Sequence, residues 1–297
     1  MQIGFLGLGA MGTPMARTLL TKGFAVTGYD ADPARLAALA PDGLGAAESA
    51  AGAARGADVL VVMVQNYAQA STALLGDAGA FAALPNGATV LITSTIAPSQ
   101  ARELAAHLVA AARGLALVDA PVSGGPGGAA VGNLTLAVSG DPAAVARVQP
   151  VLDALGPTQY PMGDTVGMGL TLKAINQLLA GVHIAAAAEA LELARRAGLP
   201  AETVMDYLAH SAGYSWMLGD RGPRMIAGAY APPKSALAIF VKDLGIVRDL
   251  AAATGLAVPL VETARAQFQR AANAGFAGMD DSAVIESLRA SAPPTDG

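Results

Sequence analysis

The chain has 297 residues, a formal net charge of −5 and no cysteine, so disulfides and thiolate metal sites are excluded. Its length suffices for one large or two medium-sized domains. The three histidines are scattered, no basic stripe exists and no apolar run spans a membrane without a polar break, so we expect a cytoplasmic protein that binds neither metal, nucleic acid nor membrane.

The first predicted element is a short apolar strand that ends at Leu6 and leads into a glycine-rich turn. The turn has the pattern G-x-G-x-x-G, and a helix follows over residues 11–22. In this setting the pattern binds the pyrophosphate of a dinucleotide, because the helix N-terminus offers free N–H groups. A turn that binds no ligand is the alternative. We predict cofactor contacts from six consecutive residues: Gly7, Leu8, Gly9, Ala10, Met11 and Gly12.

A second strand, over residues 24–29, ends at Asp30. A carboxylate at this position accepts both ribose hydroxyls of the adenosine and repels a 2′-phosphate. No arginine follows directly, and the next one is Arg35. We therefore predict NAD rather than NADP as the cofactor. Asp30 would alternatively, or in addition, cap the helix that begins near Pro33.

Further apolar strands, at residues 57–64, 88–93 and 115–119, alternate with helices. This alternation predicts an α/β fold, in which a doubly wound parallel Rossmann sheet is covered by helices on both faces. Strands at residues 134–139 and 158–160 close the domain. Ligands bind at the carboxyl ends of such strands. We expect three strand-end residues near the nicotinamide, although ordinary loops are the alternative: Met63, Val64 and Thr95.

A hydroxyl and successive backbone N–H groups follow the strand that ends at Asp119. They belong to Ser123, Gly124 and Gly125. Such a group of donors binds a carboxylate without an arginine. A flexible Gly-Pro linker is the alternative interpretation.

Residues 167–196 form the longest uninterrupted helical pattern of the chain. Lys173, Asn176 and Gln177 share one face of this helix, and burying a lysine amine is costly unless the amine is paired or used. After it the sequence predicts only helices, near residues 201–210, 234–254, 259–274 and 280–289, and a frayed tail at 291–297. We therefore divide the chain into a dinucleotide-binding domain (1–163) and an all-α domain (164–297).

Two features of the helical half bear on partners and ligands. Its many small and apolar residues predict a homodimer or homotetramer, because such surfaces usually pack against another chain. Lys242 and Asp243 interrupt an apolar helix face, either as part of a site or as a surface ion pair.

Four ordered motifs, at residues 5–15, 119–125, 169–176 and 242–244, together resemble the β-hydroxyacid dehydrogenase family over essentially the whole chain. The resemblance implies an NAD-dependent oxidation of a small hydroxy acid, by a Rossmann domain joined through a long helix to an all-α domain. It implies that Lys173 is the catalytic lysine, which must be partly desolvated to take up a proton, and that Asn176 assists it. It also implies the remaining roles: substrate binding by Ser123, Gly124 and Gly125, closure over cofactor and substrate by Lys242, and a nicotinamide contact by Thr95.

Within this family the second half is most similar to the members that oxidise L-threonate, although these tend to have histidine where this chain has Asn176. The similarity implies a four-carbon sugar acid as substrate, with Ser215 and Lys242 as polar walls. The alternatives are 3-hydroxyisobutyrate and tartronate semialdehyde. A non-catalytic NAD-binding sensor is a remote alternative, because a sensor has no need of Lys173 beside Ser123.

Overall fold

A computed structural model of the chain describes residues 1–289. The chain divides into two compact units, Met1–Lys173 and Ala174–Gly297. The division falls within a single helix. The sequence-based boundary between residues 163 and 164 stays a prediction, and the predicted tail at 291–297 lies outside the described residues.

The first unit is built on a parallel sheet of six strands in the order β3-β2-β1-β4-β5-β6. This arrangement confirms the predicted doubly wound α/β fold. The chain crosses over between β1 and β4, so the topological switch point lies there. The two-residue strand β3 is too short to leave a periodic pattern and was not predicted. The strands are β1 (Gln2–Leu6), β2 (Ala25–Tyr29), β3 (Gly45–Ala46), β4 (Val59–Val62), β5 (Thr89–Ile92) and β6 (Ala116–Asp119).

Helices cover both faces of this sheet, and each face has its own apolar core. Along β4, Val59 and Val61 belong to one core, whereas Leu60 and Val62 belong to the other. This alternation follows from the two-residue period of a strand, and it explains why the strands are continuously apolar. The helices are α1 (Gly12–Thr21), α2 (Pro33–Leu39), α3 (Ala50–Ala54), α4 (Tyr67–Leu75), α5 (Ala80–Ala83), α6 (Pro98–Ala110), α7 (Gly125–Ala130) and α8 (Pro142–Leu155).

A second, three-stranded sheet completes the first unit. It consists of β7 (Val122–Ser123), β8 (Thr135–Val138) and β9 (Thr158–Pro161). Strand β7 pairs antiparallel with β8, and β8 pairs parallel with β9. The predicted strands near residues 134–139 and 158–160 thus form a sheet of their own. Strand β7 was not predicted, because it has only two residues.

The long predicted helix is present as α9 (Met168–Arg196), with 29 residues. By length and composition alone it could cross a membrane, but 50% of its most apolar window is buried inside the protein. Ala174, Ile184, Ala188 and Leu191 of this helix belong to the apolar core of the second unit. These are the properties of a core helix, and length and composition are weak grounds for a membrane span.

The second unit is helical, as predicted. It contains α10 (Ala201–Ala209), α11 (Trp216–Ala227), α12 (Leu237–Ala253), α13 (Pro259–Ala271) and α14 (Glu286–Arg289). Helix α11 was not predicted, because Gly219, Gly222 and Pro223 lie within it and these residues normally interrupt helices. The predicted helix at 280–289 begins instead as a 3-10 turn, Asp281–Ile285.

Buried ion pairs explain why α11 forms despite its proline. Arg221 donates two hydrogen bonds to Asp281, at 3.0 and 2.9 Å, and Arg224 donates one to Asp280 at 2.9 Å. Burial raises the pKa of the Asp281 carboxyl, and Arg221 opposes the rise. Because one lost partner would leave a buried charge unpaired, this network fixes α11 against the segment after α13.

A second carboxylate of this unit provides a test of the packing. Glu192 accepts hydrogen bonds from Arg195 at 2.8 and 2.7 Å and from Arg196 at 2.8 Å. The hydrogen bonds from Arg195 are the main cause that lowers the pKa of Glu192 from an ordinary value near 4.5 to about 2. The folded state therefore binds this proton less tightly than the unfolded state. Its contribution to stability is complete above pH 4.5 and is lost as the pH falls toward 2.

We predict that Glu192→Gln destabilises the protein at pH 6 and that this difference from the wild type shrinks as the pH approaches 2. Denaturant unfolding of both proteins at a series of pH values measures the difference directly. A difference that stays constant with pH would contradict the assigned ion pairs.

Candidate active site

The turn after β1 has the geometry of a dinucleotide-binding loop. Gly7 has a φ of +92°, and a Cβ at Gly12 would lie 1.8 Å from the carbonyl oxygen of Gly7. A Cβ at Gly9, in contrast, would meet only the end of the Arg35 side chain, at 3.4 Å. The loop therefore closes tightly on its protein side, where Leu8 is buried in the apolar core, and leaves space at Gly9 and Ala10.

The N-terminus of α1 follows this turn directly. Within the described residues no side chain caps it, and its first turn holds no acidic residue. Thr13 N–H donates to Gly9 O at 3.0 Å and residue 14 is a proline, so the start of α1 offers an anionic ligand chiefly the positive end of the helix dipole. Together with the glycine geometry, this arrangement fits the pyrophosphate of a dinucleotide.

Asp30 stands beside the loop, at the end of β2. Its Oδ2 accepts a hydrogen bond from the backbone N–H of Leu8 at 2.6 Å and one from Arg35 at 3.3 Å. Asp32 caps α2 through Ala34, which shows that the alternative role for Asp30 as this cap is wrong. Arg35 lies 3.5 Å from Asp32 as well. Its positive charge is therefore held between two carboxylates.

The predicted strand-end residues lie along the same edge of the sheet as the glycine loop. The N–H of Val64 donates to Ser94 Oγ at 2.8 Å, and the Met63 sulfur accepts from Thr93 at 3.4 Å. Thr95 follows buried Ser94 and is half-buried itself. Since β4 and β5 are parallel neighbours, Met63, Val64 and Thr95 occupy adjacent carboxyl ends, next to the switch point where the resemblance places the nicotinamide.

Lys173 and Ser123 are brought together by the fold. The amine of Lys173 lies 2.9 Å from Ser123 Oγ and donates a hydrogen bond to it, across 50 residues of sequence. Both side chains are half-buried. Gly124 and Gly125, where β7 leads into α7, adopt positive φ angles of +129° and +65°. The segment predicted either as a nest of donors or as a linker is thus an ordered strand-to-helix turn.

Asn176 opens a chain of hydrogen bonds in the second unit. Its Nδ2 donates to Gln177 Oε1 at 2.9 Å, and Gln177 Nε2 donates to Asp243 Oδ2 at 2.6 Å. The other oxygen, Asp243 Oδ1, lies 2.6 Å from Lys242 Nζ. No partner is aligned for a hydrogen bond with Asp243 Oδ1, so the contact with Lys242 is an ion pair. Because Asp243 is buried, the surface-pair alternative fails.

Ser215 has a structural contact that the sequence did not predict. Its Oγ accepts the N–H of Leu218 at 3.1 Å and caps α11. The neighbouring Trp216 is 63% exposed, and the guanidinium of Arg221 lies 5.7 Å from the centre of its ring. The role of Ser215 in substrate binding stays a prediction.

Two buried residues near these groups received no role from the sequence. Gln177 is buried and anchors Asn176. Asp119, which is also fully buried, accepts the N–H groups of Gly167 and Leu170 at the start of α9. The sequence does contain an indication for both residues, because a polar residue inside an otherwise apolar stretch needs a buried hydrogen-bond partner. The partners themselves are distant in sequence.

Comparisons with known proteins match nearly the whole chain. Residues 2–166 match the family model for the NAD-binding domain of 6-phosphogluconate dehydrogenase, and residues 167–288 match the model for the NAD-binding of NADP-dependent 3-hydroxyisobutyrate dehydrogenase. L-threonate dehydrogenase of Escherichia coli is 43% identical over 285 residues, which cover 96% of this chain and 93% of that protein.

Two further relatives carry a different name. A 3-hydroxyisobutyrate dehydrogenase of Pseudomonas aeruginosa is 36% identical, covering 97% of this chain and 98% of that protein. The crystal structure of a 3-hydroxyisobutyrate dehydrogenase from Salmonella typhimurium superposes with a TM-score of 0.90 at 46% identity, covering 96% of this chain and 99% of that one.

We predict that Asp30→Ala weakens NADH binding by about tenfold to a hundredfold. Each hydrogen bond to a charged group contributes about 1.5–3 kcal/mol, and each 1.4 kcal/mol is roughly tenfold in affinity. The ratio of NADPH to NADH affinity should rise, because the carboxylate that repels a 2′-phosphate is gone. Titration of cofactor fluorescence measures both.

The matched control is Asp32→Ala, which removes another carboxylate partner of Arg35 but leaves the bond to Leu8. An equal loss of NADH affinity in both variants would refute the role of Asp30.

Proposed function

The chain belongs to the β-hydroxyacid dehydrogenase family, and we propose that within this family it oxidises L-threonate with NAD. It is an oxidoreductase acting on the CH–OH group of a hydroxy acid. The substrate assignment is supported by the relative from Escherichia coli, which is named for that activity and matches 96% of this chain.

The observation that carries the proposal is the 2.9 Å hydrogen bond between Lys173 Nζ and Ser123 Oγ. It brings an amine and a hydroxyl together in the first unit, with the hydroxyl four residues after the end of β6. A dinucleotide-binding protein without catalytic activity needs the loop and Asp30, but it has no use for this pair. General acid–base catalysis does need it.

In the proposed reaction, Lys173 accepts the proton of the substrate hydroxyl at Nζ while the carbon becomes a carbonyl, and it returns the proton in the reverse direction. The nicotinamide, when bound, supplies the hydride acceptor. To accept a proton the amine must be neutral when it meets the substrate hydroxyl.

We assign the remaining predicted residues to binding and orientation. Ser123, Gly124 and Gly125 hold the substrate carboxylate, since a hydroxyl and the adjacent N–H groups are donors. Asn176 orients the reacting hydroxyl. Lys242 and Ser215 face the additional hydroxyls of a four-carbon acid. In the glycine loop and along the strand ends, the cofactor contacts are those of Gly7 to Gly12, Asp30, Met63, Val64 and Thr95.

A second candidate substrate is 3-hydroxyisobutyrate. The Salmonella structure and the Pseudomonas relative carry this name, at 46% and 36% identity. The two substrates differ in their hydroxyl groups, and a smaller apolar acid would make no use of Lys242 as a polar wall. Tartronate semialdehyde, as a substrate of the reverse reaction, is the other alternative.

We predict that Lys173→Ala lowers kcat for the true substrate by about a hundredfold to ten-thousandfold, the range that a positioned acid–base group contributes. NADH formation is measured with L-threonate, D-threonate, L-serine, 3-hydroxyisobutyrate and glycerate. Turnover of L-threonate that depends on Lys173 is the expected result. Turnover of 3-hydroxyisobutyrate in its place would keep the mechanism and refute the substrate.

The matched control for this experiment is Lys22→Ala, which removes an exposed lysine at the end of α1. It should keep full activity. Undiminished activity of Lys173→Ala would refute the catalytic role, and a wild type that binds NADH but turns over no hydroxy acid would favour the sensor.

We also propose that the protein is a cytoplasmic homo-oligomer. Ile175, Leu179 and Leu193 are 53%, 52% and 70% exposed, and their spacing places them on one stripe along α9. An exposed apolar stripe on a core helix is typical of a surface that packs against a second chain. The buried opposite face of α9 supports a soluble enzyme.

We predict that the wild type is a dimer or tetramer and that Leu193→Glu shifts it toward the monomer, because a charge would be buried in the interface. Light scattering coupled to gel filtration gives the mass. Val109→Glu, at a residue that is 75% exposed on α6, is the control and should leave the mass unchanged. A monomeric wild type would refute the proposal.

A further inference from the structure

Asp119 is a fully buried carboxylate at the end of β6. Its Oδ1 accepts hydrogen bonds from the N–H of Gly167 at 2.7 Å and from Ser139 Oγ at 2.6 Å. Its Oδ2 accepts the N–H of Leu170 at 2.9 Å. Burial raises the pKa of the Asp119 carboxyl, and the hydrogen bonds from Gly167, Ser139 and Leu170 oppose the rise.

Ser139 extends this arrangement to a third backbone group. Its Oγ accepts the N–H of Gly169 at 2.9 Å while it donates to Asp119. Asp119 and Ser139 also exchange two backbone hydrogen bonds, at 3.0 and 2.9 Å. The N–H groups at the start of α9, which have no partner inside the helix, are thus bound by residues of β6 and of the segment after β8.

The start of α9 lies closely against its neighbours at Gly169. A Cβ at Gly169 would lie 2.2 Å from the carbonyl oxygen of Ala137 and 2.9 Å from Asp119 Oδ2. The helix therefore presses against the small sheet at this point. Any displacement of its first turn would break the bonds to Asp119 and Ser139.

Both members of the predicted catalytic pair lie close to this anchor. Lys173 is three residues after Leu170, one helical turn further along α9. Ser123 is four residues after Asp119, and the connecting chain is fixed by the bond from Ala120 N–H to Ile92 O at 2.8 Å. Asp119 thus binds the first turn of α9, which carries the Lys173 amine. The segment that carries the Ser123 hydroxyl begins at Asp119 as well.

We propose that Asp119 is a positioning residue of the reaction, which sets the Lys173 amine against the Ser123 hydroxyl by binding the first turn of α9. The inference rests on the proposed function, in which these two groups touch the substrate. Acid–base catalysis depends on such placement, because a displacement of about 1 Å can cost roughly a hundredfold in rate. Asp119 itself is fully buried, and its carboxylate is bonded to Ser139 and to backbone N–H groups.

The test compares Asp119→Asn with Asp141→Asn in the full-length protein. Asn keeps the shape of the side chain, but its NH₂ group would face a backbone N–H at one of the two oxygen positions. Asp141 likewise caps a helix of the first unit, through Ala144 N–H at 3.0 Å, but α8 carries no predicted site residue. Asp141→Asn therefore weakens a helix cap of the first unit without touching the start of α9.

Asp119→Asn should lower kcat about a hundredfold on the hydroxy acid that the wild type oxidises, while the Kd for NADH changes by less than about twofold. Asp141→Asn should retain kcat. An unchanged kcat in Asp119→Asn would overturn the proposal, and so would a loss of NADH binding in proportion to the loss of rate, because that pattern would indicate general damage to the first unit.

A readout that needs no substrate separates this inference from the proposed function. Trace labelling with acetic anhydride at a series of pH values, followed by mass spectrometry, reports the reactivity of each lysine amine. In Asp119→Asn the pH profile of Lys173 should shift, whereas exposed Lys22 serves as the internal reference and should not change. An unshifted Lys173 profile overturns the inference even if no hydroxy acid is turned over.

If Asp119→Asn does not fold, Ser139→Ala tests the positioning role instead. This variant removes the bond to Gly169 N–H and one bond to Asp119 but retains the carboxylate. The pH profile of Lys173 labelling should shift in the same direction as in Asp119→Asn but by a smaller amount. The kcat should fall by a correspondingly smaller factor. Wild-type values of both in Ser139→Ala would overturn the proposal.

Discussion

A buried carboxylate at the N-terminus of a 29-residue helix is the constraint on which the candidate site of the first unit depends. Removing a carboxylate from water is costly, and the cost is offset here by two backbone N–H groups, one hydroxyl and the positive end of the helix dipole. The same interaction requires glycine at position 169, where the helix approaches a neighbouring carbonyl most closely. The buried charge of Asp119, the glycine at position 169 and the position of α9 thus depend on one another.

Much of the fold was predictable because it is encoded locally. The continuous apolar runs of the buried strands, the glycine turn after β1 and the Ala- and Leu-rich course of α9 each occupy one stretch of sequence. Local rules failed where tertiary contacts decide. Helix α11 contains Pro223, and it forms because Arg221 and Arg224 are bound by aspartates about 60 residues away. Strand β7 has two residues and exists only by pairing with β8.

The candidate site shows the same division. Lys173, Ser123 and Asp30 could be named from motifs, since each stands at a strand end or on a helix face with a recognisable neighbour. The roles of Asp119 and Asp243 could not, because their partners lie 20 to 66 residues away in sequence. From the sequence, Arg35 was considered only because it is the next arginine after Asp30. Its pairing with two carboxylates depends on the turn before α2 and could not be predicted.

The hydrogen bonds from Asn176 to Asp243 have a direction. A carboxylate only accepts, so Gln177 must turn its NH₂ group toward Asp243 and its oxygen toward Asn176. Asn176 in turn commits an N–H to Gln177. Position 177 therefore sets the polarity of the groups that Asn176 leaves uncommitted. A residue there that donated to Asn176 would reverse this polarity and exchange an acceptor for a donor without altering Asn176 itself.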